Sequence, residues 1–225
     1  MIDIQQDIST VTEATILVVG ALFPIVNPLG SAAIFLNMVE GIQPKLQRAL
    51  SQKIAIYSFF LLICSLLWGV KILTFFGVSI YAVQIGGGLV VAATGWSLLA
   101  QGSSGVRSST LSEESILEHA FYPYTLPITV GPGSISVAIT LGAHLPSELH
   151  VSSLFSPQAL IASLAGIALV CAIVYICYRY ANKAERLLGA SGTSVVMRLS
   201  SFILLCIGVQ ILSTGIKEYL KTLNL

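Results

Sequence analysis

Charge is what this sequence has least of. Asp, Glu, Lys and Arg make up 9% of the 225 residues, against 55% hydrophobic residues. Soluble domains carry about 25% charged residues, so a soluble core is excluded. The formal net charge of +1 offers nothing to nucleic acid. Cysteine is scarce too. Cys64, Cys171, Cys177 and Cys206 stand singly in apolar runs, without a CxxC or metal-ligand spacing, which makes them small packing residues. His119, His144 and His150 are scattered over span ends and loops, so no metal site is expected. No His stands near a membrane-depth Ser or Cys, so neither an enzyme nor a bound cofactor is expected. Residues 1–12 hold Asp3 and Asp7 but no Lys or Arg. They lack the positive start of a signal peptide, so the first apolar run is expected to be retained. The most consequential absence is central. Glu13, Glu118, Glu185 and Glu218 fall at span ends or in loops, and no Lys or Arg lies mid-span. A proton carrier normally keeps an acid or a His at membrane depth.

What is present is length and hydropathy. The mean hydropathy is +0.89, and about 20 residues cross one hydrocarbon layer. The expected fold is all-α and polytopic, with six transmembrane helices near 14–38, 54–76, 80–100, 119–143, 158–180 and 194–219. Between the third and fourth runs lies the longest polar stretch, 102–118, which is Ser-rich. It splits the chain into 1–101 and 119–225. Within it, Ser112-Glu113-Glu114-Ser115 has the makings of a helix cap. Lys45, Arg48, Lys53, Arg107, Arg179, Lys183, Arg186 and Arg198 fall on one side of this layout, and Lys71, Lys217 and Lys221 on the other. Lys and Arg favour the cytoplasmic side, so both termini are expected outside.

Two of the runs are interrupted. Asn27-Pro28-Leu29-Gly30-Ser31 breaks the first, and Val130-Gly131-Pro132-Gly133-Ser134 breaks the fourth. Proline lacks an N–H, clashes with the carbonyl four residues back and pushes the preceding residue out of helical geometry. Each run therefore reads as two half-helices. A backbone break at membrane depth persists only where protein buries it or where it lines a cavity. Paired breaks in corresponding places of two halves are the best sequence pointer to a transporter's binding site.

The two interruptions are worded alike. Pro24-Ile25-Val26-Asn27-Pro28-Leu29-Gly30-Ser31 aligns with Pro127-Ile128-Thr129-Val130-Gly131-Pro132-Gly133-Ser134, with one residue of slack before the second proline. Gly95 and Gly208 sit in similar apolar surroundings. Three spans per half is odd, so the second half enters from the opposite side. The expectation is a 3+3 inverted repeat capable of alternating access.

With no fixed charge at the centre, half-helix ends supply one. Free N–H groups at an N-terminus suit a carboxylate, and free carbonyls suit Na⁺ or an ammonium. Asn27, Ser31, Thr129 and Ser134 add neutral hydrogen bonds. A small zwitterion fits this pattern, and a large hydrophobic cation does not. Gln84, Thr94 and Gln210 have two readings: they line the pathway, or they join helices by hydrogen bonds of about 0.6 kcal/mol each. Gly86-Gly87-Gly88 reads as a close-packing surface. Tyr175, Tyr178 and Tyr180, beside Arg179, read as an interfacial aromatic belt.

The two break motifs, Ile85-Gly86-Gly87-Gly88-Leu89 and Gly208-Val209-Gln210 resemble the MarC family of prokaryotic inner-membrane proteins. The likeness extends over almost the whole chain. It implies a multi-pass inner-membrane protein with a layout shared with LysE-type exporters. Its similarity to the small neutral amino acid transporter members implies a secondary transporter of the glycine and alanine class. Carried over, the site residues are Asn27, Pro28, Gly30, Ser31, Gly131, Pro132, Gly133 and Ser134, with Thr129 from the residues' own chemistry. Implied partners are a small solute and the lipid bilayer, with Na⁺ or H⁺ as coupling ion. Direction of transport and oligomeric state are left open. Drug efflux and a non-transporting membrane protein are the competing readings. One departure stands out: Ser200-Ser201 occupies a place near the start of span 6 where a glycine is expected.

Overall fold

The computed structural model describes residues 2–39, 41–101, 113–148 and 156–223, and these contain helices and no strand. The helices are α1 (Ile2–Val26), α2 (Pro28–Met38), α3 (Pro44–Phe75), α4 (Ile80–Gln101), α5 (Glu113–Glu118), a π-wound segment (Ala120–Thr129), α6 (Pro132–Glu148), α7 (Pro157–Arg179) and α8 (Ala181–Thr222). Five stretches are long and apolar enough to cross a membrane, α1 and α2 together forming one of them. The π-wound segment and Pro132–Leu145, bent by 70° to each other, make a sixth when counted as one span. The chain is an all-α polytopic membrane protein.

Two boundaries differ from the sequence expectation. α3 starts at Pro44, ten residues before the apolar run, so Lys45, Arg48 and Lys53 ride on a helical extension rather than a loop. Pro44 suits a first helical position because its missing N–H would be unpaired there anyway. The polar stretch 181–193 is also helical. α8 runs through it with a kink at Gly189, whose φ of 68° is open to glycine without strain. Of the central linker, 102–112 lies outside the described residues, as does the expected cap Ser112.

The most extensive pairing is α4 against α8. It depends on missing side chains. A Cβ at Gly88 would lie 2.5 Å from the Leu212 backbone nitrogen, and one at Gly95 the same distance from that of Leu205. Close backbone approach of this kind replaces the hydrophobic drive that lipid cannot provide. Ser201, the departure at the start of span 6, fits because Gly95 faces it: a Cβ on Gly95 would stand 2.9 Å from the Ser201 carbonyl. Elsewhere α1 packs on α7 and α6 on α3, while α4 meets α6 and α2 meets α8. Both breaks are thereby held in the interior between these pairs.

Candidate functional site

The first break turns on Asn27. It adopts left-handed geometry, φ 47° and ψ 62°, a conformation in which Asn is several-fold enriched. Its N–H still donates to Phe23 O at 3.0 Å, ending α1, and its carbonyl accepts the Ser31 N–H at 2.9 Å, starting α2. Its side chain Oδ1 accepts the Gly30 N–H at 3.2 Å. Gly30 is needed for that cap, since a Cβ there would come 2.9 Å from the Asn27 side-chain carbon. Pro28 has no N–H to offer the Pro24 carbonyl. One residue thus caps both half-helices.

The second break is built differently. Tyr122 and Leu126 are extended, at φ −125° and −109°. Each precedes a proline, Pro123 and Pro127, which disfavours the helical region. The ladder widens to bonds five residues long: Val130 N–H donates to Thr125 O at 2.8 Å, Thr125 Oγ1 to Ala120 O at 2.8 Å, and Thr129 Oγ1 to Tyr124 O at 2.7 Å. Gly131 then precedes Pro132, the first residue of α6. Glycine has no side chain with which to cap. Among the described residues, the first α6 backbone donor with an acceptor outside that helix is Ile135, to Gly131 O at 3.1 Å. The N–H groups of Gly133 and Ser134 precede it.

A cavity of about 410 Å³ lies where the breaks meet. Asn27, Ser31, Thr129, Gly131, Pro132, Gly133 and Ser134 line it. Of the site residues expected from sequence, these seven come together around one space. Pro28 and Gly30 do not line it; both are buried behind it and shape the Asn27 turn. The remaining wall is Val90, Val91, Thr94 and Leu98 of α4, Leu204 of α8 and apolar neighbours of the breaks. No charged or aromatic residue is among those lining it. Thr94 lines the cavity, and its Oγ1 donates within its own helix to Val90 O at 2.8 Å rather than to another helix.

Behind the cavity stands a residue that the sequence reading placed elsewhere. Tyr178 is fully buried rather than part of an interfacial belt. Its ring stacks on Phe35 at 4.5 Å between centroids, and Phe35 meets Tyr124 edge-on at 5.9 Å. The signal was in the register: Ile167, Val170, Cys171, Val174 and Tyr178 follow helical spacing and form one buried stripe. Tyr175 and Tyr180 do sit outside, clasping Arg179.

Tyr178 connects the two breaks. Its hydroxyl lies 2.7 Å from Thr129 Oγ1, and its ring stacks on Phe35 of α2. Ser31 Oγ donates to Asn27 O at 2.9 Å, as Thr129 Oγ1 does to Tyr124 O. With Thr129 Oγ1 donating to Tyr124 O, the Tyr178 hydroxyl is the donor to Thr129.

Comparison with known proteins adds the relatives. The profile described as MarC family integral membrane protein matches residues 12–220. Over 209 residues the chain is 31% identical to the inner membrane protein MarC of Escherichia coli K12, covering 89% of this chain and 93% of that one. The MarC of Shigella flexneri matches equally, at 31% over the same coverage. No solved structure matches.

Proposed function

This chain belongs to the MarC family of integral membrane proteins, and from that premise we propose that it is a secondary transporter of small neutral amino acids, not an enzyme. The observation that carries the reading is the uncharged cavity at the junction of two broken helices. The bare N–H groups of Gly133 and Ser134, at the positive end of α6, suit a carboxylate. Carbonyl and hydroxyl oxygens around Asn27, Ser31 and Thr129 suit an ammonium, or Na⁺ as coupling ion; H⁺ is the other candidate. The cavity's size also admits larger solutes, since drug-binding pockets start near 300 Å³. Its lining disfavours multidrug efflux: it offers neither an acid for a cation nor a ring for stacking.

Alternating access by a 3+3 inverted repeat is part of the same proposal. The packing supports it, because α1 on α7 corresponds to the π-wound segment on α3 when the halves are exchanged, and α2 on α8 to α6 on α4. The relatives' names and the Lys and Arg distribution favour the inner membrane with both termini outside.

The test is flux of radiolabelled glycine and alanine in proteoliposomes, with Na⁺ and pH gradients imposed separately. Saturable flux that follows one gradient and falls in Asn27→Ala is the expected outcome. Folded protein that moves neither solute under either gradient would overturn the proposal.

A further inference from the structure

α3 and α7 pack against each other, and a groove of about 510 Å³ follows their seam on the outside of the bundle. Its walls are two helical stripes. Arg48, Gln52, Ala55, Ile56, Phe59 and Phe60 come from α3, and Ala168, Cys171, Ala172 and Tyr175 from α7. The α7 wall is low because three of its four side chains are small; buried Cys171 forms the floor. Ile56, Phe60, Ala168 and Ala172 are exposed, so the groove opens away from the helices behind it. From Arg48 to Phe60 the helix rises about 18 Å. One leaflet is half of a hydrocarbon core about 30 Å thick, so the groove is about one leaflet deep.

Its two ends differ. Phe59 and Phe60 close the deep end, while Arg48, Gln52 and Tyr175 stand at the shallow one. Arg179, one turn beyond Tyr175, donates from Nη1 to the Tyr175 hydroxyl at 3.0 Å. Its guanidinium lies over the Tyr175 and Tyr180 rings, 5.7 and 5.1 Å from their centroids, and Lys183 Nζ lies 5.3 Å from that of Tyr180. These tyrosines hold Arg179 in place without neutralising it, and a guanidinium has further N–H donors to give. No acid lines the groove. Among the described residues, no carboxylate forms an ion pair with Arg48, Arg179 or Lys183. Cations at a span end are accounted for by snorkelling to water. Snorkelling does not account for an apolar groove, one leaflet deep, beneath them. The complement to that groove is an anion carrying an apolar chain.

We propose that the α3–α7 groove binds one anionic phospholipid, its phosphate between Arg48 and Arg179 and an acyl chain laid along the seam toward Phe60. Basic pockets between membrane helices take anionic headgroups in this way, and Arg matches phosphate oxygens with paired N–H donors. The ammonium of a zwitterionic lipid finds no carboxylate in the groove. This site stands apart from the transport reading.

The experiment is native mass spectrometry of the purified protein in detergent with equimolar phosphatidylglycerol and phosphatidylethanolamine. One phosphatidylglycerol per chain should be retained, preferred by about tenfold, a few-fold for each arginine. Arg48→Gln combined with Arg179→Gln should cancel the preference. Ala172→Phe keeps both charges and fills the groove from an exposed position; it should cut retention severalfold. Lys217→Gln, on α8 toward the opposite membrane face, should change nothing. Equal retention of the two lipids, or a preference that survives the double substitution, overturns the role of the arginines. Full retention in Ala172→Phe overturns the groove. Displacement of the lipid by inorganic phosphate makes this a site for a free anion and overturns the lipid. Thermal unfolding gives an independent reading: phosphatidylglycerol should raise the Tm of the wild type and not that of the double variant, and equal rises would also overturn the proposal.

Discussion

The two helix breaks share a vocabulary of proline, glycine and serine but differ in the residue before the central proline, Asn27 at one and Gly131 at the other. At the first, Asn27 supplies its own cap, and α1 and α2 continue as one span. At the second, Gly131 has nothing to cap with, and the halves bend by 70°. A self-satisfied break can orient a ligand but has little N-terminal charge left to offer. An uncapped one leaves that charge for a solute. Similar wording thus divides into a capped break and an uncapped one. Tyr178 bridges them from behind, its hydroxyl on Thr129 and its ring on Phe35 of α2.

The largest effect expected follows from erasing the difference. Gly131→Asn places a capping side chain where none stands. Glycine flux should fall by tenfold or more while thermal stability in detergent stays close to wild type, a cap worth about 1 kcal/mol being offset by a Cβ that stands 3.0 Å from the Pro127 carbonyl oxygen. A protein that loses stability along with flux would mean the substitution merely fails to fit.

Next is the reverse experiment at the first break. Asn27→Ala removes the cap and also leaves a Cβ in left-handed geometry, which together cost about 2 kcal/mol. Asn27→Gly keeps that geometry at ease and should cost less than half as much. Thermal unfolding of the pair separates capping from strain. Equal losses would show that backbone geometry contributes little.

Smaller again is Tyr178→Phe, which preserves the stack on Phe35. Hydrogen bonds between membrane helices average about 0.6 kcal/mol, so stability should drop by that order. A double-mutant cycle with Thr129→Val should show a coupling of similar size. Additive losses would show that the two hydroxyls do not act as a pair.

Much of this architecture is legible in the residues. Apolar runs of membrane length fixed the spans near 80–100 and 158–180 to within a residue of α4 and α7. Both breaks fall where Pro and Gly punctuate those runs, and seven of the nine expected site residues share one cavity. Helical extensions past the lipid were harder to see. Lys45 to Lys53 and 181–193 are polar, and hydropathy marks what lies in lipid, not where a helix ends. Tyr178 was misplaced because tyrosine next to Arg179 near a span end fits an interface equally well; only the buried stripe decides. The π-wound approach to the second break depends on Pro123 and Pro127 acting together, which single-residue propensity does not convey.

The central claim is that the open second break binds the solute being moved. Its most direct test is the initial rate of glycine flux in matched proteoliposomes of wild type and Gly131→Asn, with folding checked by thermal unfolding. The account predicts saturable flux in the wild type and a loss of tenfold or more in a variant of similar stability. Full-rate flux in Gly131→Asn would contradict it, because a carboxylate could not then depend on the bare N-terminus of α6.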